Sequence, residues 1–143
     1  MSYLVKQYMR KQVATVAGEV SIVEAASLMQ KSGTGFLIVL EKGSLVGIVT
    51  EHDFVYKAIA ADLDPKKVKV AEIMSSPLVT VDPDEDLLKA SEIMQKHNIR
   101  KLPVVRGGII YGILTARDIS EHCIDYVNKS VKDVMRWAAP LGD

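Results

Sequence analysis

Apolar residues along this chain form two kinds of segment, short and largely apolar runs of strand length and stretches with helical spacing. The short runs lie at 13–16, 36–40, 45–49, 78–81, 102–105 and 109–114, and they predict strands. Apolar residues at i, i+3 and i+4 predict a helix that begins at Ser21 and another that begins at Asp82-Pro83. Further helices are predicted from Thr50 and Thr115, the first of them with an inward face made of Phe54, Val55, Ala58 and Ile59.

Polar turns that contain glycine separate two pairs of predicted strands. Gly43 lies between 36–40 and 45–49, and Gly107-Gly108 lies between 102–105 and 109–114. Each pair therefore predicts a hairpin. The resulting order is strand, helix, strand, strand, helix, twice over (β-α-β-β-α in each half). This order predicts an α/β fold with helices on one side of a small sheet.

The two halves repeat each other without a gap. Val5 returns as Val70 and Asp53 as Asp118, a spacing of 65 in both cases. Shared periodicity alone would reproduce the apolar positions, but turn glycines and a Thr/Asp pair recur as well. The repeat predicts two copies of one compact unit, packed as a pseudo-two-fold pair because each copy is small for an independent domain.

The repeat also predicts where the units begin and end. The first repeat with its lead-in is expected at 1–62, a polar linker at 63–69, the second repeat at 70–128, and a C-terminal segment at 129–143. The lead-in pattern Val-x-x-x-Met, present at 5–9 and 70–74, returns at 131–135. We expect this third copy to form a short helix anchored by Trp137, with a frayed tail as the alternative.

Composition excludes several classes of protein. The 143 residues are 48% hydrophobic and 25% charged, and the formal net charge is zero. A protein that coats nucleic acid or an acidic membrane needs a basic excess, which is absent here. A single cysteine, Cys123, does not suggest an oxidising compartment. No apolar run approaches the length of a membrane span, so we expect a cytoplasmic protein without membrane contact.

Residues typical of catalysis or metal binding do not form a recognisable set. His52, His97 and His122 with Cys123 lack the spacing of metal ligands. A nucleophile with a base and an orienting partner is not apparent. Gly107-Gly108 lies between strands, the wrong context for a phosphate loop. We therefore expect neither a metal site, a catalytic cofactor nor an enzymatic activity.

The strongest polar pattern is Thr-x-x-Asp, which occurs at Thr50–Asp53 and again at Thr115–Asp118. Each copy follows a Gly-Ile strand and begins a helix. A helix start stabilises an anion through its free N–H groups and its dipole. A threonine cap and an aspartate at the third position also form a capping box, which needs no ligand. Both interpretations remain open on this pattern alone.

Several short motifs together resemble the CBS domain, named after cystathionine β-synthase. The second repeat has Ala-x-x-x-Met at 90–94, Leu-Pro-Val-Val at 102–105, Gly-Ile-Leu-Thr-Ala-Arg-Asp at 112–118 and the lead-in at 70–74. The first repeat has the corresponding motifs at 25–29 and 47–53. Their order and spacing in both copies resemble a tandem CBS pair over nearly the whole chain.

This resemblance implies a regulatory ligand, an adenosine nucleotide (AMP, ADP or ATP) or an S-adenosyl compound, in two clefts between the repeats. It implies ribose contacts from Asp53 and Asp118 and phosphate contacts from Thr50 and Thr115. Adenine is expected against the first strand of each repeat. These residues are Val13, Ala14 and Thr15 in one copy and Leu78, Val79 and Thr80 in the other. Further contacts are expected from Thr34, Ile99, Arg100, Lys101 and Arg117.

The two copies differ where a phosphate would be held. Arg100 and Lys101 of the second repeat correspond to Gly35 and Phe36 of the first. A guanidinium suits bidentate phosphate contact, and glycine cannot replace its charge. We expect clefts of unequal affinity, with phosphorylated adenosine preferred in the one that Arg100 and Lys101 reach. A solvated strand edge is the alternative for these two cations.

The predicted function is a stand-alone regulatory sensor whose output lies in another protein or in assembly. Small residues at 58–61 allow close helix packing, and we expect a homodimer through such helices. A module for protein interaction with empty clefts is the alternative. Nucleic-acid binding through a patch of Arg100, Lys101, Arg106 and Arg117 is a third possibility, which the zero net charge disfavours.

Overall fold

The computed structural model describes residues 3–122 and shows the predicted element order in full in the first repeat and, apart from its first strand, in the second. The first repeat contains β1 (Thr15–Ala17), α2 (Ile22–Ser32), β2 (Phe36–Glu41), β3 (Ser44–Thr50) and α3 (Glu51–Asp53), which continues as a π-helix over Phe54–Ile59. The second contains α5 (Leu87–His97), β4 (Lys101–Arg106), β5 (Ile109–Thr115) and a helix over residues 116–122. Short helices α1 (Val5–Tyr8) and α4 (Val70–Ile73) form the lead-ins. The tandem α/β architecture is confirmed.

The hairpins are confirmed, but the two sheets differ in size. β2 pairs antiparallel with β3 and parallel with β1, whereas β4 pairs antiparallel with β5 only. The predicted strand 78–81 is reduced to one parallel bridge between Val81 and Val104. In the first repeat the N–H of Ile38 donates to the carbonyl of Ala14. The corresponding residue is Pro103, which has no N–H to donate, so the strand is not extended.

One predicted helix start is correct and one is wrong. Ser21 caps α2, accepting the N–H of Glu24 at 3.2 Å. The second long helix begins at Leu87 with Asp86 as its cap, not at Asp82. The carboxylate of Asp82 instead accepts the N–H of Asp84 and binds Arg106 in a turn.

The helix after Thr50 also departs from the predicted face. Ala58 is buried, but Val55 and Ile59 are 48% and 73% exposed, so their expected inward orientation is wrong. The N–H of Ala60 donates to the carbonyl of Val55, five residues earlier. This wider π-helical turn changes which residues share a face, so the spacing of an α-helix does not apply.

Each lead-in packs into the core of the other repeat. Val5 is fully buried in the cluster of the second repeat, and Val70 and Ile73 are buried in that of the first. A third cluster of Phe36, Ile38 and Ile113 joins the repeats. The exchanged lead-ins therefore bind the two repeats into one folded unit.

Two glycines permit this exchange. Backbone hydrogen bonds join Arg10 to Ile113 and Ser75 to Ile48 in both directions, at 2.8–3.1 Å. A Cβ atom on Gly112 would lie 2.4 Å from the carbonyl oxygen of Arg10. One on Gly47 would lie 2.6 Å from that of Ser75. The Gly-Ile motif recurs because only glycine leaves room for the lead-in backbone.

Three predictions fall beyond the described residues, namely the third lead-in at 131–135, its anchor Trp137 and the segment 129–143. Over residues 3–122 no helix has the length and apolar character needed to cross a bilayer. Within that same range, no cluster of three or more His, Cys, Asp or Glu side chains is placed to hold a metal ion.

Candidate functional site

Asp53 and Asp118 are the two buried charged side chains of the described part of the chain, each 5% exposed. Asp53 accepts the N–H of Thr50 at 2.9 Å, and Asp118 accepts that of Thr115 at 3.0 Å. Both contacts use the Oδ2 atom. The helix-cap interpretation is therefore correct for one oxygen of each carboxylate, and it leaves the other oxygen to be explained.

The second oxygen, Oδ1, binds a cation in both repeats, but the cations come from different places. The guanidinium of Arg10 contacts Oδ1 of Asp118 through Nε and Nη2, both at 3.2 Å. The ammonium of Lys57 contacts Oδ1 of Asp53 at 3.0 Å. An ionised buried carboxylate needs such a partner, because an unpaired buried charge is costly.

These two cations do not correspond under the repeat. Shifted by 65 positions, Arg10 falls on Ser75 and Lys57 falls on His122. The ring of His122 lies 4.5 Å from that of Tyr8, measured between centroids. Lys57 comes from the same helical segment as its partner, whereas Arg10 comes from a lead-in 108 positions away. The two carboxylates therefore have similar burial but different surroundings.

Two adjoining cavities meet beside Arg10, with volumes of about 560 and 830 Å³. Both are lined by Arg10, Gly33, Thr34 and Phe36, and together they form what we call the Arg10 cleft. Volumes of roughly 300–1,000 Å³ are typical of small-molecule sites. The cleft brings together seven residues predicted from the sequence, Val13, Ala14, Thr34, Arg100, Lys101, Thr115 and Arg117.

The Arg10 cleft combines positive charge with a small apolar wall. Its described lining includes one acidic residue, Glu51, and the apolar residues Phe36 and Ile113. Its cationic residues are Arg10, Lys11, Arg100, Lys101 and Arg117. Asp118 is not one of the lining residues, but its carboxylate contacts Arg10, which is. This arrangement suits a ligand with an anionic group, a flat apolar part and hydroxyl groups that can donate to a carboxylate.

The remaining predicted residues lie elsewhere. Leu78 and Thr80 line a cavity of about 840 Å³ formed with both hairpin turns, and its described lining includes neither Thr50 nor Asp53. The side chain of Thr15 is exposed on β1. Those of Val79 and Ile99 are half-buried against the core of the second repeat.

Two residues that matter for the site were missed in the sequence, Arg10 and Lys57. Lys57 has a local signal, since it lies four residues after Asp53 on one helix, the spacing of helical ion pairs. Arg10 has no local signal, because its partner Asp118 belongs to the other repeat. Only the exchange of lead-ins brings Arg10 to that carboxylate.

Comparisons with known proteins agree with this architecture. The sequence profile of the CBS domain matches the chain twice, at residues 5–59 and 70–125. The CBS domain-containing protein YhcV of Bacillus subtilis is 39% identical over 116 residues, covering 81% of this chain and 82% of that protein.

Solved structures show the same fold. A hexameric CBS-CP12 protein from bloom-forming cyanobacteria superimposes with a TM-score of 0.79 at 29% identity, covering 99% of this chain and 91% of that one. The CBS domain pair of protein MJ0100, in complex with 5′-methylthioadenosine and S-adenosyl-L-methionine, has a TM-score of 0.78 at 33% identity. That match covers 88% of this chain and 99% of the other.

Proposed function

This chain belongs to the CBS domain family as a tandem pair of repeats, and we propose that it is a non-catalytic regulatory module that binds an adenosine nucleotide in the Arg10 cleft. The observation that carries the proposal is the second oxygen of Asp118. It lies on a buried carboxylate beside a cationic cleft, and within residues 3–122 its one side-chain partner is the exposed Arg10.

Each part of a nucleotide has a suitable group in the cleft. The Oδ1 atom of Asp118 can accept the vicinal hydroxyl protons of a ribose once Arg10 turns away. The guanidinium groups of Arg10, Arg100 and Arg117 can bind phosphate in charge-assisted pairs. The backbone at Val13 can read the edge of a base. The fully bound ligand would contact both repeats.

The charge of the cleft selects among adenosyl ligands. S-adenosylmethionine carries a sulfonium and an ammonium against one carboxylate, so it is a net cation. A lining of five cationic residues and one acidic residue favours a phosphorylated adenosine instead. We therefore expect AMP, ADP or ATP to bind more tightly than S-adenosylmethionine, a ligand of the MJ0100 pair.

A ligand between the repeats gives a regulatory mechanism. The lining of the Arg10 cleft comes from residues 10–14, 32–36 and Glu51 of the first repeat and from residues 100–101 and 113–120 of the second. A nucleotide that binds one arrangement of these segments better shifts the population toward that arrangement. The free energy of this population shift is limited by the difference between the binding free energies of the ligand for the two arrangements. A partner protein or an assembly then responds to the favoured state.

The test is a thermal unfolding series with AMP, ADP, ATP, adenosine and S-adenosylmethionine, followed by isothermal titration. A specific ligand at 100 times its Kd stabilises the fold by about 2.7 kcal/mol, which raises Tm by several degrees. Asp118→Asn preserves the cap but loses the charge, and it should weaken AMP binding about 10- to 100-fold. Asp86→Asn, a cap outside the Arg10 cleft, is the control. If none of the five compounds raises Tm, the alternative of a ligand-free interaction module is favoured.

We further propose a homodimer through the exposed apolar face of the π-helical segment. Val55, Tyr56 and Ile59 are 48%, 63% and 73% exposed there, and an apolar cluster of this kind is typical of an interface. The hexameric CBS-CP12 protein supports self-assembly by this fold.

Light scattering at micromolar concentration should give twice the chain mass, and Ile59→Glu should give a monomer. Ile109→Glu changes an isoleucine that is 60% exposed on β5 and should leave the dimer intact. A monomeric wild type would contradict the proposal.

A further inference from the structure

The two buried carboxylates are not equally available to a ligand. We propose that the chain binds one nucleotide rather than two, because Lys57 occupies Oδ1 of Asp53 and thereby closes that carboxylate to a ribose. The inference rests on the proposed function of the Arg10 cleft. It adds the stoichiometry and names the residue that sets it. Asp53 and Asp118 are equally buried and both cap a helix, so their burial and capping do not distinguish them.

Lys57 is held by three acceptors at once. Its Nζ atom lies 3.0 Å from Oδ1 of Asp53, 3.1 Å from the carbonyl oxygen of Ile73 and 3.5 Å from Oγ of Ser75. An ammonium has three protons, so these contacts use its full donor capacity. Ile73 is the last residue of α4, and a cation at a helix C-terminus is favourable. Lys57 therefore fastens the lead-in of the second repeat to the carboxylate of the first.

Arg10 is held much less firmly. Its two contacts with Asp118 go to a single oxygen at 3.2 Å, and its side chain is 58% exposed, against 45% for that of Lys57. A guanidinium has five N–H donors, so two contacts leave most of its capacity for another acceptor. Arg10 also lines both cavities of its cleft. When a ribose takes Asp118, the guanidinium can turn to the phosphate of the same ligand, and one ion pair replaces another.

Displacement of Lys57 breaks contacts with three acceptors, whereas displacement of Arg10 frees a single oxygen. A ribose at Asp53 would replace an ammonium by neutral hydroxyls and would also remove the ammonium from the carbonyl of Ile73. The counterpart of Lys57 is His122, whose ring lies against Tyr8. The repeats thus differ at both cation positions, Lys57 against His122 and Arg10 against Ser75, and Lys57 is the cation that closes its carboxylate.

Isothermal titration with AMP tests this stoichiometry in the full chain. The wild type should bind one AMP per chain, and Lys57→Met should bind two. Asp118→Ala should bind none, and Lys57→Met combined with Asp118→Ala should bind one, which places the new site at Asp53. Lys57→His, which copies the second repeat, serves as a second opening variant if Lys57→Met unfolds. Lys66→Met in the linker is the matched control and should remain at one.

The outcomes separate this inference from the proposed function. Two AMP per wild-type chain would overturn the closure of Asp53 and leave nucleotide binding intact. One AMP per chain in both Lys57 variants, each shown to be folded by circular dichroism, would also overturn Lys57 as the closing group. No binding by the wild type or by either variant would overturn the proposed function and the inference together.

Discussion

Arg10 contacts Asp118 across 108 positions of sequence, and this ion pair joins the lead-in of the first repeat to a helix start of the second. The backbone of Arg10 is fixed by two hydrogen bonds with Ile113, so its side chain leaves from a defined point. The fold therefore determines where Arg10 lies, and Arg10 in turn covers the carboxylate of the candidate site.

Arg10→Met should change the affinities for AMP and adenosine in opposite directions. Loss of the guanidinium removes a charge-assisted contact to phosphate, so AMP binding should weaken about 10- to 100-fold. Adenosine has no phosphate and no longer competes with Arg10 for Asp118, so its affinity should rise. Isothermal titration of both compounds measures the effect, with Lys96→Met on α5 as the control. A parallel loss for both compounds would show that Arg10 acts only through folding.

Much of this architecture is visible in the sequence because local signals repeat. Ser21 caps its helix as predicted, and the Gly-containing turns form hairpins. The start predicted at Asp82 failed because the sequence offers two aspartates four residues apart, Asp82 and Asp86. Arg106, which lies far along the chain, binds Asp82 and fixes it in a turn. The residues around Asp82 give no sign of this contact with Arg106, so the helix start could not be chosen from them.

The candidate site was predicted only in part, for a related reason. Thr115 follows from the repeated Thr-x-x-Asp motif, Thr34 was expected from the family resemblance, and the structure places both on the Arg10 cleft. Which lead-in packs on which repeat is not encoded locally, because Val5 and Val70 occupy identical patterns. Arg10 could not be assigned to Asp118 until that exchange was known.

Gly112→Ala should destabilise the fold by about 1–3 kcal/mol, the usual range for an overpacked position. The new Cβ atom would lie 2.4 Å from the carbonyl oxygen of Arg10 and would push the lead-in away from β5. Gly35→Ala is the control, because the atom nearest its Cβ is the flexible carboxylate of Glu51, which can rotate away. Urea unfolding measures both variants. Equal losses would show that the close approach of the lead-in is not the cause.

Val5→Ala and Val70→Ala test the exchange of lead-ins directly. Both side chains are fully buried, and truncation of a buried valine should cost about 2 kcal/mol in each case. Val5→Ala should accelerate amide hydrogen exchange mainly in β4 and β5, whereas Val70→Ala should do so in β2 and β3. The reverse assignment would mean that each lead-in packs on its own repeat.

A surface network gives the fold a specific dependence on pH. A hydrogen bond from Lys6, with a further one from Arg106, lowers the pKa of Asp84 from its ordinary 3.8 to about 2. Arg106 likewise lowers the pKa of Asp82. A lowered pKa in the folded state means that the carboxylate stabilises the fold fully above about pH 4, and that this contribution disappears as pH falls through about 2.

Arg106→Met should therefore raise the pKa of Asp84 while Lys6 still holds it below 3.8. The variant should lose less stability than the wild type between pH 4 and pH 2, since less of the shift remains to be lost. Carboxyl NMR titration measures the pKa, and urea midpoints at several pH values measure stability. Arg117→Met, which removes a cation paired with Glu121, is the control. A wild-type Asp84 that titrates near 3.8 would show that Lys6 and Arg106 do not bind its carboxylate in solution. The first lead-in would then be held in place by the burial of Val5 and by the backbone hydrogen bonds of Arg10.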